Sequence, residues 1–138
     1  MNFLFKRPGE YPALTLAYIG DAVFEIYVRS FLVTRKNEAV AKLHKAATGY
    51  VKAASQSKYM EIIEDKLTEE ELGAYKRGRN AHPKTTAKNA DIIDYRRATG
   101  FEALIGYLYI CGKIDRINEI MSFIGIDSNG GISDEQKI

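Results

Sequence analysis

The sequence has little of what several classes of protein require. It contains one cysteine, Cys111, which excludes an internal disulfide framework and a CxxC metal site and is typical of a reducing compartment. No apolar run reaches the ~18 residues that a membrane span needs. The first residues, MNFLFKRPGEYP, become charged too early for a signal peptide. We therefore expect a cytosolic, cytoplasmic protein.

Other kinds of site are missing from the pattern as well. The glycines are scattered, so no Gly-rich phosphate-binding loop is predicted. His44 and His82 have no Cys or His partner at metal-ligand spacing. What remains is the composition of a globular domain: 138 residues, 46% hydrophobic and 28% charged, with a net charge of only +2.

Apolar residues recur at helical spacing through most of the chain, and no alternating stretch is long enough to predict a sheet. Thr68 and Glu71 form a capping-box pattern at a helix start, and Gly112 and Gly125 stand where C-terminal caps belong. The pattern predicts helices over 16–32, 38–65 with a weak point at Gly49, 69–81, 91–98, 100–111 and 113–124.

The predicted helices indicate one all-α domain, a helical bundle, over residues 1–125. Residues 126–138 are polar and Gly-rich, so we expect a flexible tail there. The residue before a proline disfavours the helical region, so His82-Pro83 should end a helix and open a loop over 83–90.

Positive charge is concentrated in one segment of the chain. Residues 1–75 hold 10 basic and 10 acidic side chains, residues 76–97 hold seven and two, and residues 98–138 hold three and six. The middle segment is therefore where a polyanion would bind. The alternative is a solvated helix end that balances the acidic 61–71 segment.

Two acids stand in runs that otherwise form core. Asp21 and Glu25 are the only charges between Glu10 and Arg29, and Glu102 is the only one between Arg97 and Lys113. Such an acid is costly unless a cation, backbone donors or a metal compensates it.

The spacing leaves two interpretations of these acids open. In the structural one, Asp21 belongs to a solvated stripe with a Glu25–Arg29 pair, and Glu102 closes a capping box with Thr99. In the functional one, Asp21 and Glu102 meet between two packed helices and bind Mg²⁺, which takes one or two carboxylates together with waters.

A family resemblance favours the second interpretation. Residues 16–29 read LAYIGDAVFEIYVR and resemble the ribonuclease III catalytic-domain helix with its LGDAV core. Residues 98–108 read ATGFEALIGYL and resemble that family's second motif, which ends in EALIG. With the basic segment YKRGRNAH between them, they look like Mini-ribonuclease III, the short branch without a double-stranded-RNA-binding domain. The resemblance covers about residues 10–125.

The resemblance implies a ribonuclease III-type fold, with Asp21 and Glu102 as catalytic and metal-binding residues and Mg²⁺ as cofactor. Positions that carry further acids in full-length members hold Leu14, Ala17 and Thr99 here, which leaves the number of metal ions open. The implied reaction is hydrolysis of double-stranded RNA to 5′-phosphate ends by a homodimer. The implied substrate is the stem of precursor 23S ribosomal RNA.

We expect RNA to be held mainly through phosphates and 2′-hydroxyls, as A-form duplexes are. The aromatics of this segment are too few for a single-strand stacking platform. The residues predicted to contact the duplex are Lys76, Arg77, Arg79, Asn80, Lys84, Thr85 and Lys88.

Two other functions compete with the nuclease. The missing acids favour a catalytically inactive RNA-binding module on the same fold, although retention of both Asp21 and Glu102 argues against it. The third is a helical protein-interaction domain, for which the chain would show no affinity for duplex RNA.

Overall fold

The computed structural model describes residues 3–81 and 89–127, and these residues contain helices and no β-strand. This confirms the all-α prediction. The helices are α1 (Ala13–Arg35), α2 (Val40–Val51), α3 (Ala53–Ile63), α4 (Glu69–Arg79), α5 (Asn89–Ile110) and α6 (Ile114–Phe123), with short 3-10 turns at Pro8–Glu10 and Glu64–Lys66. None of the helices in these ranges is both long and apolar enough to cross a bilayer.

Several predicted helix ends are confirmed. The Thr68 hydroxyl accepts from the Glu71 amide at 3.1 Å, and the Glu71 carboxylate accepts from the Thr68 amide at 2.9 Å. Gly112 and Gly125 have φ of 73° and 82°, the left-handed conformation in which a side chain would be strained. These local signals could be recognised because each is complete within a few consecutive residues.

The single helix predicted over 38–65 is wrong, because the chain turns at Lys52. This residue is extended (ψ 155°) and separates α2 from α3. The predicted weak point, Gly49, lies inside α2, and its carbonyl accepts from the Ser55 hydroxyl at 2.6 Å across the turn. By donating to a carbonyl near the end of α2, the Ser55 hydroxyl helps to stabilise this turn.

The separate helices predicted over 91–98 and 100–111 are one helix, α5. The capping-box interpretation of Thr99 and Glu102 is therefore wrong, since Thr99 lies inside the helix and its hydroxyl donates to the Tyr95 carbonyl. Gly100 does not break the helix because Tyr75 packs where its side chain would be, with a ring carbon 2.6 Å from an ideal Cβ. In the predicted loop, residues 89–90 begin α5 and residues 83–88 lie outside the described ranges.

Helix α5 is the centre of the bundle and packs against α1, α3 and α4. Its buried residues meet those of α1 and α6 in the main core, where the Phe24 and Phe101 rings pack edge to face at 5.1 Å. The other large core side chains come from α1, α3, α4, α5 and α6: Val28, Met60, Ile63, Tyr75, Leu104, Ile105, Leu108, Ile117, Ile120 and Met121.

A buried ion pair ties α4 to α6. The Arg116 guanidinium donates to both Glu71 carboxylate oxygens at 2.9 Å and to the Lys66 carbonyl at 2.8 Å. Burial raises the pKa of Glu71, but the hydrogen bonds from Arg116 and Thr68 outweigh that effect and hold the pKa below its usual range. The start of α4 is thus fixed, and with it the direction in which its basic end points.

Candidate functional site

Asp21 on α1 and Glu102 on α5 lie side by side where the two helices cross. The pKa of Glu102 is raised to about 8, chiefly by burial, and also by the negative charge of Asp21 and a hydrogen bond between the two carboxyl groups. Asp21 is exposed to solvent while Glu102 is half-buried. The two acids that sequence reasoning singled out are therefore brought together, with one face open to solvent.

Two glycines allow this meeting of helices. An ideal Cβ on Gly20 would lie 1.8 Å from the Glu102 carbonyl oxygen, and one on Gly106 would lie 1.9 Å from the Leu16 carbonyl oxygen. No side chain fits at either position, so the α1 and α5 backbones touch. Gly20 immediately precedes Asp21, and Gly106 lies one helical turn after Glu102, so the contact sets the spacing of the carboxyl groups.

Gln56 on α3 is a third member of the site that the sequence reasoning missed. It is 2% exposed, and its amide donates to the Glu102 carboxylate at 3.4 Å, which favours the charged form of that group. The available signal was weak: Gln56 and Ser57 are polar residues inside an apolar-periodic segment. Both are buried, and only Gln56 faces the carboxylate pair through a hydrogen bond.

The donor set suits a hard cation such as Mg²⁺. The raised pKa of Glu102 shows that this carboxyl group does not ionise readily on its own. Both carboxyl groups lie at a helix crossing that faces solvent. Mg²⁺ binds such a pair of carboxylates while it keeps several of its waters. Residues 3–81 and 89–127 contain no cluster of three or more His, Cys, Asp or Glu placed to hold a metal. Among these residues, Asp21 and Glu102 are the pair that could hold a metal ion at this crossing.

The neighbouring acid on α1, Glu25, is engaged elsewhere. Its carboxylate accepts from the Arg29 guanidinium at 3.0 Å, one helical turn away. This confirms the expected surface pair. It also makes Glu25 a useful comparison for Asp21, because both acids lie on the same helix in the same stripe.

The basic residues of α4 are gathered in its last turn. Lys76, Arg77 and Arg79 follow one another there, and Asn80 caps the helix end. Lys76, Arg77 and Asn80 are exposed, while Arg79 is half-buried, stands over the Tyr75 ring at 5.6 Å and donates to the Asn80 side-chain oxygen at 3.2 Å. Cations also suit a helix C-terminus for purely local reasons.

This end of α4 lies at the level of Glu102 along α5. An ideal Cβ on Gly78 would be 2.5 Å from the Ala103 side chain, and Tyr75 packs on Gly100, two residues before Glu102. The structure therefore sets four predicted RNA-binding residues beside the part of α5 that carries the acid. The other three, Lys84, Thr85 and Lys88, lie outside the described residues.

Comparison with known proteins identifies relatives over most of the chain. The family model "Ribonuclease III domain" matches residues 14–113. A Mini-ribonuclease 3 of Clostridium tetani is 50% identical over 112 residues, which is 80% of this chain and 74% of that protein. One of Brevibacillus brevis is 49% identical over 118 residues, 86% and 88% of the two chains. A crystal structure of a Fusobacterium nucleatum protein superimposes with a TM-score of 0.77 at 30% identity, covering 87% of this chain and 96% of that one.

Proposed function

This chain belongs to the ribonuclease III family and is an endoribonuclease, and on that premise we propose that it is a Mg²⁺-dependent enzyme whose centre is formed by Asp21 and Glu102. The family acts on double-stranded RNA and depends on a metal ion. The observation that carries the proposal is the carboxylate pair at the α1–α5 crossing.

In this mechanism Asp21 and Glu102 would hold the metal through their carboxylate oxygens. The ion supplies stabilisation of negative charge on a phosphate and activation of water. Gln56 keeps the Glu102 carboxylate oriented by donating to one of its oxygens. Hydrolysis in which the bond from phosphorus to the 3′ oxygen breaks leaves a 5′-phosphate and a 3′-hydroxyl.

The duplex would be held by the basic residues at the end of α4. Lys76 and Arg77 are exposed there and Arg79 is held in place over Tyr75, so phosphates along a duplex groove can meet all three. Asn80 would reach a sugar hydroxyl, and we assign Lys84, Thr85 and Lys88 to the same contact from the sequence alone. With about five phosphates neutralised, log K should fall against log salt with a slope of around −4.

The substrate we propose is the base-paired stem of precursor 23S ribosomal RNA. The support is the likeness to proteins named Mini-ribonuclease 3. The basic end of α4, which would hold the stem, lies beside the part of α5 that carries Glu102.

We also propose that the enzyme is a homodimer joined through the outer face of α1. Four large apolar side chains on that face are exposed in the single chain: Leu14 44%, Tyr18 81%, Ile26 64% and Val33 61%. The opposite face of α1 already packs on α5. We therefore propose that the exposed apolar face of α1 packs against the same face of a second copy of the chain. A two-fold pair of active centres would then face opposite strands of a duplex.

The test is cleavage of a long RNA duplex, and of its separate strands, in Mg²⁺ or in EDTA. We expect cutting of the duplex only, dependent on Mg²⁺ and lost in Asp21→Asn and Glu102→Gln. Glu25→Gln is the matched control, since it removes a carboxylate one turn from Asp21 that is paired with Arg29.

One outcome would favour the alternative. If the wild type binds duplex RNA in a salt-dependent manner but never cuts it, the chain is a binding module, as the absence of acids at Leu14, Ala17 and Thr99 allows.

The chemistry of the product ends is tested separately. Fragments with 5′-phosphate ends should be substrates for a ligase that requires a 5′-phosphate.

A further inference from the structure

A cleft with three arginines opens between the end of α4 and the first turns of α5. It has a volume of about 510 Å³. Arg79 and Asn80 line it from α4, and Arg96 and Arg97 line it from α5. We call it the arginine cleft; Arg96 and Arg97 belong to no site assigned so far.

The charges in the arginine cleft are unbalanced. Of the lining residues that the structure describes, Glu64 is the one acid. Arg97 is occupied by an ion pair with Glu61 at 3.5 Å, which leaves Arg79 and Arg96 facing Glu64. Among the described residues, no ion pair engages either of these two arginines. A cleft with surplus guanidinium groups suits an anion that accepts hydrogen bonds in a plane, as phosphate does.

Part of the cleft is preorganised. The Arg79 guanidinium stands over the buried Tyr75 ring, and its Nε–H is directed to the Asn80 side-chain oxygen. Arg97 is held against α3 by Glu61 and is only 22% exposed. Arg96 is exposed and free to turn toward a ligand. Fixed arginines lose little conformational entropy when they bind, which raises their contribution to affinity.

The arginine cleft and the carboxylate pair both border the packing of α3 against α5. Two polar side-chain contacts among those that join α3 and α5 mark this border: Gln56 with Glu102, and Glu61 with Arg97. Both pairs are separated by five residues, and they run in opposite directions along the two helices. At a rise of 1.5 Å per residue, Arg97 is thus about 8 Å from Glu102 along the axis of α5. If the scissile phosphate of a strand lay at Glu102, this axial separation would bring a neighbouring phosphate within reach of the cleft.

We propose that the arginine cleft binds one backbone phosphate of the RNA strand being cut, with Arg79 and Arg96 as its ligands, and so fixes the register of that strand against Asp21 and Glu102. The inference rests on the proposed nuclease function. Arg96 acts here as a binding and positioning residue.

The experiment is a phosphate scan of the duplex. A set of RNA duplexes, each with one phosphate replaced by a neutral methylphosphonate, is bound in EDTA by the wild type, Arg96→Gln, Arg96→Lys and Lys113→Gln. Lys113 is an exposed cation at the far end of α5, so its variant loses the same charge away from the cleft. Melting curves confirm that each variant is folded.

We expect one methylphosphonate position near the cut to weaken wild-type binding about five- to tenfold, and to have no effect in Arg96→Gln. Lys113→Gln should keep the wild-type pattern. The salt slope of Arg96→Gln should be shallower by about 1, as for one lost phosphate contact. Arg96→Lys should recover only part of the effect, because an ammonium group lacks the planar fork. In Mg²⁺, Arg96→Gln should raise KM by a larger factor than it lowers kcat. It should also spread cleavage over more positions.

The failures are distinguishable. A wild type that neither binds nor cuts duplex RNA refutes the nuclease and the cleft together. A wild type that cuts, with the same scan for Arg96→Gln as for Lys113→Gln, refutes the cleft alone.

Discussion

Binding of Mg²⁺ should release a proton from Glu102. In the metal-free protein, burial and the nearby Asp21 charge raise the pKa of Glu102 to about 8. A metal ligand must be ionised, so the cation has to displace that proton. At pH 7 a group with this pKa is about nine-tenths protonated, so binding should release about 0.9 proton per site.

The same shift sets the pH dependence of affinity. Below pH 8 the apparent association constant should fall about tenfold for each pH unit, and above it the curve should level off. Between pH 8 and pH 6 the loss is therefore about 50-fold, because half of the Glu102 carboxyl groups are already protonated at pH 8. The metal-free protein should also lose stability as the pH rises from about 4.5 to about 8, because the unfolded chain ionises first; the loss is on the order of a few kcal/mol. Saturating Mg²⁺ should offset it.

Calorimetry measures this directly. Mg²⁺ is titrated at pH 7 in buffers of different ionisation enthalpy, and the slope of the observed enthalpy gives the protons released. Glu102→Gln should bind more weakly and release none, whereas Asp115→Asn, an exposed acid on α6, should behave like the wild type. Metal binding without proton release at pH 7, or affinity independent of pH between 6 and 8, would refute the reasoning.

Three further changes test the fold and the assembly. Gly106→Ala should lower the free energy of unfolding in urea by about 3 kcal/mol or more, because its Cβ would lie 1.9 Å from a carbonyl oxygen. The control Gly49→Ala has nothing within 4 Å of its Cβ and should raise that free energy by up to about 1 kcal/mol. Equal effects would contradict the close approach of α1 and α5. Arg116→Ala should cost about 3–5 kcal/mol by leaving Glu71, only 4% exposed, without its cation, and a loss under about 1 kcal/mol would show that the pair is dispensable. Tyr18→Glu should be a monomer where the wild type is a dimer, as measured by light scattering. Its melting temperature, measured alongside, checks that the variant is folded. A wild type that is already monomeric would refute the α1 interface.

The features that could be predicted from the sequence are those whose cause lies close by in the chain. The Thr68–Glu71 box and the caps at Gly112 and Gly125 each depend on a few consecutive residues, and all three are present. The turn at Lys52 could not be predicted, because lysine is a good helix former and the turn is fixed by how α2 and α3 pack. Tertiary packing overrides local preference at such points.

The candidate site divides in the same way. Asp21 and Glu102 could be singled out because acids in apolar runs need compensation, and the family resemblance then favoured their meeting, which the structure shows. Gln56 was not, since an amide can be satisfied in many ways and only its contact with Glu102 gives it a role. Arg96 and Arg97 were counted as part of a basic segment, but the cleft between α4 and α5 that gathers them depends on the fold.

The spacing of two glycines on α5 explains how this one helix fixes the positions of both α1, which carries Asp21, and the basic end of α4. Gly100 receives the end of α4 two residues before Glu102, and Gly106 receives α1 four residues after it. A slip of one residue turns a helical side chain by 100°, which would take Glu102 away from Asp21. Because both contacts are backbone-close and each excludes a side chain, neither neighbour can slide without a clash. The two acids proposed to bind the metal and the basic end of α4 are thus held at a fixed separation by the same helix, as the proposed cutting of a duplex at a defined phosphate requires.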